Sequence, residues 1–156
     1  MGRRLLVLWA GRHRRDAWET LCADYRGRIA RDLEIEDRMI KARAAGSDPG
    51  RLKAEGAALL AARPEPCWTV ALDPRARARS SDALAADLRD WLDTWPHAIA
   101  FVIGSDLGLD SSVLEAARTR LSFGPIVLGH ELARLVLYEQ LYRALSADRG
   151  IKYHRA

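Results

Sequence analysis

Cysteine is scarce in this chain of 156 residues: Cys22 and Cys67 are the two, and they form no CxxC pair. That count excludes a disulfide-stapled scaffold and a thiolate metal site, and both thiols read as small apolar core residues of a reduced, cytosolic protein. The four histidines, His13, His97, His130 and His154, are scattered, none at ligand spacing from another His, Cys or Asp, so no metal is expected. No run of eighteen apolar residues occurs, which excludes a membrane-spanning helix. GxGxxG after the first apolar run and GxxxxGK[ST] are both missing, which speaks against ordinary dinucleotide and P-loop sites. Lysine is nearly absent, three against 22 arginines. The net charge of +4, from 25 basic and 21 acidic residues, is basic without being extreme. Arginine suits bidentate phosphate contacts, so nucleic acid is a permitted partner.

What is present describes one globular domain spanning residues 1–156, with hydrophobic residues at 49% and charged residues at 29%. The start, Met1-Gly-Arg-Arg-Leu-Leu-Val-Leu-Trp-Ala10, is basic and then apolar like a signal peptide. Its apolar stretch is only about six residues, and Arg12-His-Arg-Arg15 follows at once without a small-residue cleavage site. A first core strand over Arg4–Trp9 is the better reading. Trp18, Cys22, Tyr25 and Ile29 then form one helical stripe beginning near Asp16. Leu33, Ile35, Asp37 and Met39 alternate like a half-buried strand, and 44–50 has the composition of a flexible loop before an Ala- and Leu-rich helix that runs to about Ala62. Cys67–Leu72 and Ala98–Ile103 read as buried strands. Between them lies a helix capped by Ser80 or Ser81, with Leu84, Leu88, Trp91 and Trp95 on one face. Ser112-Val-Leu-Glu115 fits a capping box opening a helix to about Leu121, Pro125–Leu128 a very short strand, and Glu131–Ser146 a helix apolar on most sides. The alternation predicts an α/β fold with a mostly parallel sheet flanked by helices. A last helix so widely apolar needs cover on two sides, which predicts a dimer.

In a parallel sheet the loops leaving the strands share one edge, and ligands bind there. Those loops carry Gly11-Arg-His-Arg-Arg15, Asp73-Pro-Arg-Ala-Arg-Ala-Arg79, Gly104-Ser-Asp-Leu-Gly108 and Gly129-His130. The basic runs, with Arg12 and Arg75 among them, are either solvated surface or a phosphate-binding rim beside a small-molecule pocket. Phe123-Gly-Pro-Ile-Val-Leu128 would let main chain approach a ligand closely, bonding an adenine edge while Ile126 and Leu128 pack its face. In the tail, Tyr153, His154 and Arg155 stand side by side, suited to stack on a base and hold phosphate. Glu139 and Arg143 form an i, i+4 pair of the kind that supports a helix.

Phe101-Val-Ile-Gly-Ser-Asp-Leu-Gly108, Leu121-Ser-Phe-Gly-Pro-Ile-Val-Leu-Gly-His130, Leu137-Tyr-Glu-Gln-Leu-Tyr-Arg-Ala144 and Tyr153-His-Arg155 occur in this order. Leu52-Lys-Ala-Glu-Gly56, Ala71-Leu-Asp73 and Ser80-Ser-Asp82 precede them. Together they resemble the large-subunit ribosomal RNA pseudouridine N3-methyltransferases, the RlmH family of SPOUT enzymes, over essentially the whole chain. The resemblance implies a SPOUT methyltransferase fold with a C-terminal trefoil knot over about 98–148 and a tail at 149–156. It implies a cytoplasmic homodimer and S-adenosylmethionine held by Leu72, Gly104 and the backbone of Phe123, Gly124, Pro125, Ile126, Val127 and Leu128. The implied substrate is a pseudouridine of 23S rRNA, read on the large ribosomal subunit or the assembled 70S ribosome.

The implied reaction moves a methyl group from a sulfonium to N3, which must lose its proton. His154 is the candidate base or orienting group. Arg134, Arg143 and Arg155 are candidates for stabilising charge or holding RNA, and Tyr142 and Tyr153 for stacking or hydrogen bonding. The chain departs from the family's usual Gly-Gly at Gly104-Ser105 and from its usual Pro-His at Gly129-His130. Were position 105 to need a positive φ, Ser there would cost about 1 kcal/mol. The competing readings are an RNA-binding SPOUT-fold protein that has lost cofactor binding and an unrelated flavodoxin-like enzyme for a phosphate-bearing ligand.

Overall fold

The first apolar run forms β1 (Leu5–Ala10), and all six of its residues are buried. Such a strand must be covered on both faces, the signature of a parallel sheet inside helical layers. A computed structural model of the chain describes residues 2–11, 16–42 and 46–154, with the backbone alone at 154. After β1 come α1 (Asp16–Ile29), β2 (Ile35–Ile40), α2 (Asp48–Ala61), β3 (Cys67–Leu72), α3 (Ser81–Thr94) and β4 (Ala98–Ile103). The chain continues through α4 (Ser111–Ala116), β5 (Thr119–Leu121), α5 (His130–Asp148) and a 3₁₀ turn at Lys152–His154.

The sheet order is β2-β1-β4-β3-β5, and every pairing is parallel. Leu5 stands between Ile35 and Ile99, so the first strand lies inside the sheet. Side-chain alternation sorts the core. Leu5, Val7 and Trp9 face the layer that holds Cys22, Leu88 and Leu137, whereas Leu6, Leu8 and Ala10 face Leu59 and Val113. α1, α3 and α5 therefore cover one face, and α2 and α4 the other.

Several expectations need correction. α2 begins at Asp48 rather than after Gly50: Ser47 is its N-cap, accepting from the Gly50 amide at 3.3 Å, and Pro49 sits in the first turn, where its missing N–H costs nothing. α4 is capped by Asp110, which accepts from the Ser112 amide at 3.1 Å, and it ends at Ala116. The residues assigned to its last turn instead form β5, three residues paired to β3. Pro125–Leu128 is loop, not strand. Met39 is exposed while its neighbour Ile40 is buried. α5 packs against α1 on one side and α3 on the other, while Leu132 in its first turn stays exposed, so part of its apolar surface is left open in the single chain.

Candidate active site

Because all five strands run the same way, their C-terminal ends deliver five loops to one rim. A cavity of about 340 Å³ opens there, within the usual size range of small-molecule sites. Leu72, Ile103 and Leu121 at the strand ends form apolar walls, and Gly104 lines it beside them. Phe123, Gly124, Ile126, Val127 and Leu128 come from the loop before α5, and Ala133 from its first turns. Seven of the eight positions assigned to the cofactor thus line one cavity. Pro125 belongs to the same loop without lining it. Ile126 and Val127 are 74% and 78% exposed, so this loop's apolar side chains serve the cavity mouth and not the core.

Hydrogen bonds between loops fix the cavity. The Asp73 amide donates to the Leu121 carbonyl at 2.9 Å and the Arg79 amide to the Ser122 carbonyl at 3.2 Å, tying the loop after β3 to the one after β5. The Ser122 hydroxyl donates to the Gly124 carbonyl at 2.9 Å and accepts from the Gly124 amide at 3.1 Å. Gly124 has φ +119°, a conformation that favours glycine. Asp73, nearly buried, accepts from the Arg75 amide at 3.0 Å and from Arg75 Nε at 3.3 Å. The Arg75 side chain itself is 78% exposed at the rim.

Gly104 is required by its own turn. A Cβ there would lie 2.1 Å from the Gly108 carbonyl oxygen, so no other residue fits. Ser105 beside it has no positive φ, and the cost attached to that condition does not arise. Its hydroxyl donates to Glu55 Oε2 at 2.6 Å, which pins the turn to α2.

A second, wider cleft of about 1080 Å³ adjoins the first on the β1 side. It is lined by Gly11, Trp18, Met39, Lys41, Arg51 and Leu132 among others, and it shares Ser105, Asp106, Gly129 and His130 with the smaller cavity. Asp73, Ser105, Asp106 and His130 were named from sequence only as members of the rim loops, without individual roles. All four stand directly after a strand or at the start of α5, and that placement at the rim was the available signal.

Arg134 does not reach either cavity lining, and its assignment to the reacting centre is corrected. Its guanidinium is fully buried, donating to Asp37 Oδ2 at 2.9 Å and Glu19 Oε2 at 2.9 Å and lying 4.5 Å from the Trp9 ring centroid. Asp37 also accepts from Trp9 Nε1 at 2.9 Å and the Tyr138 hydroxyl at 2.5 Å. Burial opposes the charge of Arg134, but Asp37 and Glu19 outweigh it and hold its pKa above the ordinary arginine value. This arginine neutralises acids from α1 and β2 inside the core.

Tyr142, Arg143 and Tyr153 come together further along α5. Tyr142 and Tyr153 meet edge-on with centroids 4.7 Å apart. Arg143 donates to Glu139 Oε1 at 2.6 Å and lies 5.3 Å from the Tyr153 ring centroid. The Tyr153 hydroxyl reaches Glu139 at 3.3 Å and Tyr25 at 3.0 Å. Burial first, then these partners, raise the Tyr153 pKa well above the ordinary phenol value. Glu139 lies nine residues after His130, about 14 Å along the helix axis. The tail is therefore docked away from the cavity of its own chain. Arg12, Arg155 and the side chain of His154 lie outside the described residues. Among the described residues no cluster of His, Cys, Asp and Glu could hold a metal ion, and no helix is long and apolar enough to cross a membrane.

A parallel sheet with glycine-bearing loops walling one cavity at its C-terminal rim is the architecture of a SPOUT methyltransferase. The family model described as "Predicted SPOUT methyltransferase" matches residues 4–154. The ribosomal RNA large subunit methyltransferase H of Solidesulfovibrio magneticus is 41% identical over 151 residues, covering 96% of this chain and 97% of that one. Its namesake from Rhodospirillum centenum is 40% identical over 153 residues, covering 98% and 99%. The chain belongs to this family of methyltransferases. Two solved structures share the fold at low identity. TrmJ from Z. mobilis ZM4 superposes with a TM-score of 0.50 at 17% identity, over 89% of this chain and 68% of that one. A structure concerned with 2-OH methylation of C/U34 on tRNA gives 0.51 at 21%, over 94% and 98%.

Proposed function

We propose that this protein is an S-adenosylmethionine-dependent methyltransferase that methylates N3 of a pseudouridine in 23S ribosomal RNA, on the large subunit within the assembled 70S ribosome. One observation carries the reading: seven of the eight positions the resemblance assigns to the cofactor line a single cavity at the sheet rim. The residues fit the group. Leu72, Ile103 and Phe123 offer apolar surface to a purine ring, and the main chain of 123–128 offers donors and acceptors along its edge. When bound, the cofactor supplies an activated methyl group.

The protein's own part is positioning and charge. Exposed Arg75 at the rim, with Arg12 after β1, holds RNA phosphate. Tyr153 anchors a tail whose His154 serves as base or orienting group and whose Arg155 meets the RNA, and Tyr142 and Arg143 hold that anchor. With the tail docked about 14 Å along α5 from His130, a homodimer would let one protomer's tail serve its partner's cavity. The trefoil knot implied by the resemblance belongs to the same reading, as does action in the cytoplasm.

Calorimetric titration with S-adenosylmethionine, followed by transfer of labelled methyl to 70S ribosomes, tests this. Saturable binding is expected, with loss in Ala133→Phe, which fills the cavity from α5 without touching the Gly104 turn. Mass mapping should place the label on N3. A folded protein that binds ribosomes but neither binds the cofactor nor transfers methyl would instead be an RNA-binding scaffold.

A further inference from the structure

Asp73 stands directly after β3, next to Leu72, and lines the smaller cavity with only 6% of its surface exposed. A carboxylate is kept that far from water only where donors meet it. Its two oxygens are treated differently. Oδ1 accepts from the Arg75 amide at 3.0 Å and from Arg75 Nε at 3.3 Å, closing the turn that leads out of the strand. Oδ2 takes no donor among the described residues. The backbone beneath it is fixed, because the Asp73 amide donates to the Leu121 carbonyl at 2.9 Å and its own carbonyl accepts from the Ala76 amide at 3.0 Å. The chain thus offers this cavity a held, nearly buried acceptor with one oxygen unused. Asp106, the other carboxylate of the lining, differs: its side chain is 74% exposed and takes Arg51 on both oxygens at 3.0 and 3.1 Å.

An ionised carboxylate accepts hydrogen bonds and donates none, so its ligand must bring a hydroxyl or an N–H group. The apolar walls beside it suit a purine ring, and in an adenosyl group the sugar attached to that ring carries two neighbouring hydroxyls. We infer that Asp73 Oδ2 accepts from the ribose hydroxyls of the adenosyl donor, an inference that rests on the cofactor reading above. Such a bond to a charged oxygen is stronger between apolar walls than in water. It makes Asp73 the residue that selects a ribonucleoside at this site. A pocket built to bond a hydroxyl rejects the analogue lacking it, because its buried acceptor is then left unpaired.

Calorimetric titration tests the assignment with three kinds of probe. They are S-adenosylhomocysteine, its 2′-deoxy and 3′-deoxy forms, and 5′-methylthioadenosine, which keeps the ribose and lacks the amino-acid end. Asp73→Asn is the discriminating variant, since asparagine supports the same turn through its carbonyl oxygen and puts a donor in place of Oδ2. It should weaken S-adenosylhomocysteine and methylthioadenosine alike, by about tenfold. Wild type should bind at least one deoxy form about tenfold more weakly than the parent, and the variant should lose that preference. Asp73→Ser, which can also close the turn, should behave the same way if the asparagine variant fails to fold. Unchanged affinity in either folded variant, or a wild type indifferent to both hydroxyls, overturns the inference. So does a loss confined to S-adenosylhomocysteine, which would assign the carboxylate to the ammonium group of the amino-acid end. Wild-type protein that binds none of the probes would sink the cofactor reading itself, and this inference with it.

Discussion

Tyr153 and Tyr25 meet hydroxyl to hydroxyl at 3.0 Å, joining the 3₁₀ turn of the tail to α1. The contact fixes where the 3₁₀ turn sits against α1, because Arg143 and Glu139 hold the same tyrosine from α5. Tyr25→Phe removes one hydroxyl while keeping the ring packing against Tyr142. We expect about 1 kcal/mol of lost stability and faster trimming of the tail by carboxypeptidase. Methyl transfer to ribosomes should fall several-fold at unchanged cofactor affinity. A variant with wild-type transfer would show that the anchor does not serve the reaction.

Gly104 and Ser105 should respond to substitution in opposite ways from a simple family comparison. Gly104→Ala forces a methyl group to 2.1 Å from the Gly108 carbonyl oxygen, so the turn must open. A loss of about 2–3 kcal/mol in urea unfolding is expected. Ser105→Gly installs the family's usual residue, yet it deletes the bond to Glu55 and adds backbone freedom. It should cost about 2 kcal/mol and leave the cofactor titration as in wild type.

Arg134→Met should be among the most damaging single changes. It strands Asp37, whose side chain is 11% exposed, beside Glu19 without their cation. Breaking one member of a buried pair costs about 3–5 kcal/mol, readable as a large drop in the denaturant midpoint.

The pH dependence of that network has a definite sign. Burial raises the Glu19 pKa, but hydrogen bonds and charge from Arg26 and Arg134 overcome this and hold it below the ordinary 4.5. A carboxyl depressed in the folded state contributes stability that is full above its ordinary value and lost as pH falls through the folded value. Wild type should exceed Glu19→Gln in stability at neutral pH, and the gap should close as the pH drops below 4.5. A gap that widens in acid would contradict the assignment.

Burial pushes the Cys22 thiol up to about 11 and raises Cys67 as well. At pH 8 only about a thousandth of Cys22 would be thiolate. Ellman's reagent should react slowly with native protein and quickly with both thiols in denaturant. Rapid reaction of Cys22 in the native state would mean that α1 opens readily.

The sequence revealed the sheet's centre best. β3 and β4 were read with their observed ends, and β1 to within a residue, because strands buried on both faces appear as unbroken apolar runs. β5 escaped notice: it is three residues long, Thr-Arg-Leu, and only Leu121 is buried, so its existence depends on β3 as a distant partner. Pro125–Leu128 misled in the other direction, since its apolar side chains line a cavity mouth. The fate of Arg134 was illegible because its two acids lie on α1 and β2, brought close only by the fold. The cavity-lining positions 72, 104, 123, 124 and 126–128 were reached through ordered motifs. His130 was placed in a rim loop from sequence, but that it lines two cavities at once is visible only in the fold.

Strand order has a consequence for how the molecule is made. β1 pairs with β4, so the sheet cannot close until residues near 103 have been synthesised. Every lining group of the smaller cavity lies between Leu72 and Ala133, and its last wall arrives with α5, which must settle between two helices already in place. Such non-local closure favours slow folding. A chain ending before α5 would leave that cavity without the wall made by His130 and Ala133, so a ligand that fills the whole cavity would favour the finished fold over a truncated one.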